Sequence, residues 1–297
     1  MTDEPTGRPG IQIASFESHQ PIALSIELSQ GVVHAIAGDR TDTVVTVNPS
    51  NRDRPADVDA ARQTVVDLAN GTLSIRAPKR RGLAGYVLGP SHRTGSVDVT
   101  VELPEGSSLT TEAGYADFRC DGRLGDVDIR TGAGNVRLDR TGSLRVYSGA
   151  GRVAVEGSSG NATIVTSGEM TIGTVTGDVD IKNHNGRTSI SRVGGSVRVK
   201  SANGDVTIEA AGADVSAKTA NGDIRLGQIA RGSATIETAF GELEIGIKEG
   251  TAAWIDANTS FGRIHNNLAP ADEPERSSET VQVHARTAYG DVLIKRS

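Results

Sequence analysis

Three Asn-Gly dipeptides, Asn185-Gly186, Asn203-Gly204 and Asn221-Gly222, fall 18 residues apart. Around them, from Gly195 to Gly241, the chain repeats one idea. A Gly or Ala is followed by a polar residue, a branched apolar residue, another polar residue, a second apolar residue and a polar corner. Two such segments fill one period. A fixed period of this kind marks stacked copies, none of which can bury its apolar face alone. Two glycine rows extend the pattern. One runs through Gly125, Gly142, Gly160, Gly177, Gly195, Ala213, Gly232 and Gly250, and the other through Gly134, Gly151, Gly168, Gly186, Gly204, Gly222, Gly241, Gly262 and Gly290.

This pattern predicts an all-β fold, a parallel two-sheet β-solenoid (β-helix) of about ten coils of about 18 residues. Like strands of successive coils are expected about 4.8 Å apart. At each strand alternate residues point inward, as with Val197 and Val199 or Val206 and Ile208, while Arg198 and Thr207 face water. Composition agrees: aromatic residues make up 3% and glycine reaches 36 residues, which suits a thin core of Val, Ile and Leu.

In chain order, residues 1–10 read as a disordered leader. Residues 11–103 form an N-terminal β-rich cap, with breaks between strands at Gln30-Gly31 and Gly38-Asp39 read as tight turns. A helix is expected near 55–69, from Val58, Ala61, Val65 and Leu68 at helical spacing, stopped by Asn70-Gly71. Residues 104–297 are the solenoid, with a Pro-rich, acidic loop insertion near 267–280, and ETVQVHARTAYGDVLI is expected to be the last coil.

Net charge is −6 with both signs interspersed, so no basic stripe is available for nucleic acid. No segment approaches a membrane-spanning length, and MTDEPTGRPG lacks the basic-then-apolar order of a signal peptide. A cytoplasmic location without membrane insertion is expected. The lone Cys120 stands at an apolar strand position. The six histidines never pair at ligand spacing, and GDV and GDI recur without the GGxGxD of calcium repeats, so neither cofactor nor metal site is predicted. Asp126 with Asp128, and Asp178 with Asp180, alternate on an outward face and make a poor acid/base pair.

One column stands out, the residue before each second-row glycine. It includes Asn185, Asn203, Asn221, Phe240, Phe261 and Tyr289. Stacked coils would turn it into a structural ladder of amides and then rings. Three positions before each glycine runs a Ser/Thr column, Thr131, Ser148, Ser201, Thr219, Thr238, Thr259 and Thr287, read as corner-satisfying hydroxyls. The basic loop KRRGLAGYVLGPSHR offers Arg80, Arg81, Tyr86 and Arg93 as a partner contact.

TANGDIRL, TAFGELEI and TAYGDVLI, with DRTDTVVTVNPS, GSVDVTVELP and KNHNGRTSI, resemble the bacterial putative-adhesin β-strand-repeat family, a domain of unknown function, in its unsecreted actinobacterial type. The resemblance implies a β-solenoid with no assigned catalytic or ligand residue. The expected function is a non-enzymatic repeat scaffold for interaction with an unknown protein partner, with self-association through the C-terminal coil. The alternative is a carbohydrate-binding or carbohydrate-active β-helix, which needs the aromatic column to face solvent.

Overall fold

The computed structural model describes residues 11–78, 95–268 and 279–297. The chain divides into two compact units, residues 1–151 and 152–297.

In the first unit, β1 (Gln12–Glu17) lies antiparallel to β3 (Asp42–Pro49), and β2 (Ala23–Gly38) runs between them in sequence as one unbroken strand. The expected turn at Gln30-Gly31 is therefore a corner without reversal. Gly31 has a φ of 147°, and a Cβ there would sit 1.7 Å from the Val97 carbonyl oxygen. Only glycine fits so close an approach.

The helix is shorter than expected. Helix α1 spans Pro55–Gln63, opened by its N-terminal proline and burying Asp57, Ala60 and Ala61. Residues 65–69 are strand β4 (Val65–Ala69), antiparallel to β5 (Thr72–Arg76). Asn70 and Gly71, with φ of 50° and 73°, form the two-residue hairpin turn that pairs Ala69 with Thr72. Asn-Gly favours such turns because both residues take positive φ, and Val65 and Val66 are branched residues that suit a strand.

The remaining strands of this unit are β6 (Val97–Pro104), β7 (Ser108–Arg123), β8 (Val127–Ala133), β9 (Val136–Thr141) and β10 (Leu144–Ser148). Parallel stacking begins at β2, inside the segment read as a cap. It pairs with β5 and β6 on one edge and with β7 along the other. β7 carries β8 and β9, and β8 carries β10. Antiparallel β3 covers the far edge of β6, and β4 covers β5.

The second unit holds β11 (Val153–Ser158), β12 (Ala162–Thr166), β13 (Met170–Val175), β14 (Val179–Asn185), β15 (Thr188–Val193), β16 (Val197–Asn203), β17 (Val206–Ala211) and β18 (Val215–Asn221). They are followed by β19 (Ile224–Ile229), β20 (Gly232–Phe240), β21 (Leu243–Ile247), β22 (Ala252–Phe261), β23 (Ile264–Asn266), β24 (Thr280–Tyr289) and β25 (Val292–Arg296). Even-numbered strands from β12 to β20 pair in parallel with their like, and so do odd-numbered strands from β11 to β21. Val206 stands in register with Ile224, and Ile208 with Leu226, all four at 0% exposure. The inward Val, Ile and Leu rows thus stack one coil on the next, each side chain contributing about 1.5–3 kcal/mol by burial.

At the C-terminal end the coils leave sequence order. β20 pairs with β24, not β22, and β24 then pairs with β22. Likewise β21 pairs with β25, which pairs with β23. The last coil in sequence sits in the middle, and the expected terminal coil, ETVQVHARTAYGDVLI, is not terminal. Apolarity explains the order. The middle coil offers Val281, Val283, Ala285, Val292 and Ile294, all at most 1% exposed. In β22 and β23 the corresponding residues are Ala253, Ile255, Ala257, Ile264 and Asn266. Moving that coil inward would bury the Asn266 amide at the position of Ile294, at the cost of an unpaired polar group.

Candidate functional site: an exposed corner column and an open coil

The site grows from the second-row corner. Gly204 and Gly222 have φ of 123° and 139°, and a Cβ on either would sit 2.4 Å from the glycine carbonyl one coil before. Corners this close bring the residue before each glycine directly over its counterpart. Asn203 Nδ2 donates to Asn185 Oδ1 and Asn221 Nδ2 to Asn203 Oδ1, each at 2.9 Å, and Asn185 Nδ2 reaches Ser167 Oγ at 3.4 Å.

The rings continue the column in stacking order, Phe240, Tyr289, Phe261. Phe240 and Tyr289 have centroids 5.0 Å apart at 5°, and Phe261 and Tyr289 4.8 Å apart at 8°. All three are exposed, Phe261 most at 65%. Tyr289, between the two phenylalanines, has both ring faces covered and exposes its ring edge. Phe261, last in the stack, carries no ring on its outer face among the described residues.

Beyond Phe261 the coil of β22 and β23 is open: among the described residues no strand pairs with it on the side away from β24 and β25. Ile255 and Ala257 are only half-buried, Ile264 is 46% exposed, and Trp254 is 58% exposed. Trp254 meets the His284 ring edge-on at 5.3 Å. Asp256 receives His284 Nδ1 at 3.3 Å and Arg286 Nη2 at 3.5 Å. An apolar interior thus reaches the surface along a strand whose outward backbone groups have no strand partner among the described residues.

The Ser/Thr column faces inward and donates to corner carbonyls, except for Ser201, whose buried Oγ meets no partner among the described residues. Thr238 Oγ1 reaches Gly222 O at 3.0 Å, Thr287 Oγ1 reaches Gly241 O at 3.0 Å, and Thr259 Oγ1 reaches Gly290 O at 2.9 Å. The acids also serve corners. Asp178 Oδ1 accepts the Ser196 amide at 2.7 Å, Asp223 Oδ1 the Glu242 amide at 2.7 Å, and Asp291 Oδ1 the Arg263 amide at 2.8 Å. Asp126 does the same for Ser143 at 2.9 Å, and hydrogen bonds from Ser143 hold its carboxyl below the usual range. Sequence reading missed this capping role, although its signal is plain in the recurrent Gly-Asp of Gly125-Asp126, Gly177-Asp178, Gly222-Asp223 and Gly290-Asp291.

A surface groove of about 360 Å³ lies among Arg187, Asp205, Asp223, Glu242, Glu244 and Asp291. Four of its five carboxylates are engaged: Asp205 accepts the Asp223 amide at 3.2 Å, Asp223 and Asp291 accept the Glu242 and Arg263 amides, and Glu244 pairs with Lys295 at 2.6 Å. Among the described residues no three His, Cys, Asp or Glu side chains converge as a metal site, and no helix is long and apolar enough to cross a membrane. Cys120 is buried, and desolvation, with the nearby charges of Asp121 and Asp139, pushes its thiol up to about 12. Arg80, Arg81, Tyr86 and Arg93 lie outside the described residues, as does most of the 267–280 insertion.

Solved structures resemble the chain along nearly its whole length at low identity. A "putative lipid binding protein" from Parabacteroides distasonis ATCC 8503 is 12% identical, covering 97% of this chain and 96% of that one with a TM-score of 0.37. A "putative adhesin" from Bacteroides fragilis NCTC 9343 is 11% identical, covering 99% of both chains at 0.35. A "putative cell adhesion protein" from Clostridium sporogenes ATCC 15579 is 10% identical, covering 98% and 100% at 0.24. No curated protein matches. The family described as Toastrack DUF4097 matches residues 23–297, from the first residue of β2 to the end of the chain. The chain belongs to the Toastrack DUF4097 family.

Proposed function

We propose that this chain is a non-enzymatic scaffold that binds a partner protein at the open coil of β22 and β23. One observation carries the reading: inward-facing residues of that coil, Ile255, Ala257 and Ile264, are left partly uncovered beside Trp254 and Phe261. An unpaired strand edge with apolar side chains is a template for another chain's strand. The engagement of four of the groove's five carboxylates in corner and ion-pair contacts supports a scaffold over a hydrolase. A photo-crosslinking residue at Asn258 should capture a discrete partner in the native cell, and Ile264→Lys should abolish the capture. Equal capture from Arg198, on the paired strand β16, would overturn the reading.

Carbohydrate binding is favoured by one observation, the exposed outer face of Phe261. A glycan-array signal lost in Phe261→Ala at unchanged melting temperature would support it. The mutual stacking of the other ring faces leaves the sugar a single ring face rather than an aromatic strip.

A further inference from the structure

The reversed order of the last two coils points to a second kind of interaction, independent of the open edge. We infer that the space between β20–β21 and β22–β23 is an acceptor slot for a strand pair, and that a second copy of this chain fills it with its own β24–β25 by reciprocal exchange.

Three observations carry the inference. First, β24–β25 is held on both sides by backbone ladders, in register with β20 and β21 on one side and with β22 and β23 on the other. A segment from another copy would make the same contacts, which is the condition for exchange at low cost. Second, β22–β23 precedes β24–β25 in the chain and must stand away from β20–β21 for the later segment to enter. During synthesis β22–β23 therefore emerges before the segment that separates it from β20–β21. The competing direct stacking is available, because β22 repeats the signature of β24: Thr259 and Phe261 stand in register with Thr287 and Tyr289. Third, the connection is long in sequence. Four residues, 248–251, link β21 to β22 across an ordinary coil boundary, whereas thirteen, 267–279, link β23 to β24. A connection that long tolerates closure within a chain or between chains, since closure entropy grows only slowly with length.

Asn258 and Arg286 make the exchange measurable, because they are register partners across β22 and β24 and both are exposed. Full-length chains carrying Asn258→Cys and Arg286→Cys, with different affinity tags, are co-expressed, treated with a short bis-maleimide crosslinker and purified through both tags. The native Cys120 is 1% exposed and out of reach. The expected product is a covalent heterodimer linked between positions 258 and 286, at least tenfold above a control pairing Asn258→Cys with Arg145→Cys. A chain carrying both Asn258→Cys and Arg286→Cys reports pairing within one copy. Links found only within that double variant, with no doubly tagged product from the mixture, overturn the inference. Links between position 258 of one copy and 258 of another also overturn it, because they mean edge-to-edge docking of two open coils; that outcome leaves the open edge itself in use.

Discussion

The two units finish their outermost parallel strands differently. In the first unit, the outermost parallel strands β5 and β6 are each covered by an antiparallel strand, and α1 is anchored beside them. Gln12 Nε2 bonds the Ala61 and Arg62 carbonyls at 2.7 and 2.8 Å, and buried Asp57 accepts the Ser96 amide at 2.9 Å. Leu73, Val99 and Val101 are consequently at most 1% exposed. In the second unit the outermost coil stays parallel and in register with its neighbour, and Ile264 remains 46% exposed. Closing a solenoid takes elements that break its period, because another parallel coil only presents the same edge again. The unit whose outermost coil keeps the parallel repeat is the one proposed to bind a partner.

The largest expected effect contrasts one residue type in the two units. Ile75→Ala, at 1% exposure in β5, should cost about 2–5 kcal/mol, while Ile264→Ala in β23 should cost under about 1 kcal/mol. Calorimetry of the two variants checks this, and equal losses would erase the contrast.

Acid should come next, and it concerns the first unit. Hydrogen bonds from Ser143 depress Asp126. Burial raises Asp121, but hydrogen bonds from His34 and Arg119 outweigh it, so its carboxyl is also lowered. A carboxylate depressed on folding contributes stability that is fully present above its unfolded value, about 3.9. That stability is lost as pH falls through the lower folded value. Asp126→Asn keeps the acceptor oxygen, so its melting temperature should fall less than that of the parent chain between pH 5 and 3, a window of about two units around the reference value. Parallel pH profiles would contradict the capping role.

Much of this was legible because it is local. The 18-residue period, the glycine rows and the alternation place Val206 under Ile224 without reference to anything distant. Coil order was not legible, because Thr259-Ser260-Phe261-Gly262 and Thr287-Ala288-Tyr289-Gly290 carry the same pattern and fit the same corner. What separates them is total apolarity over a whole coil, with Asn266 opposed to Ile294, and the long connection at 267–279 was the visible trace. The helix was overextended because Val65 and Leu68 fit a 3.6-residue spacing as well as a hairpin strand, and Asn70-Gly71 serves either as a stop or as a turn. The amide and ring column was legible as a set of positions, whereas its ring order followed the coil order and was hidden with it.

The smallest effect sharpens the column itself. Asn203→Leu removes bonds to both Asn185 and Asn221 and should cost about 1 kcal/mol, while Arg198→Ala on the outer face of the same strand should stay within about 0.5 kcal/mol. Indistinguishable melting temperatures would deny the ladder any energetic part.

Amide hydrogen exchange tests the central claim most directly, by comparing the 252–261 and 280–289 segments. The reversed coil order predicts that 280–289, although nearer the C-terminus, is protected along its length because both its edges are paired, while 252–261 loses protection on alternate amides first. Stronger protection of 252–261 than of 280–289 would mean that the coils stack in sequence order, and both the open site and the acceptor slot would be misplaced.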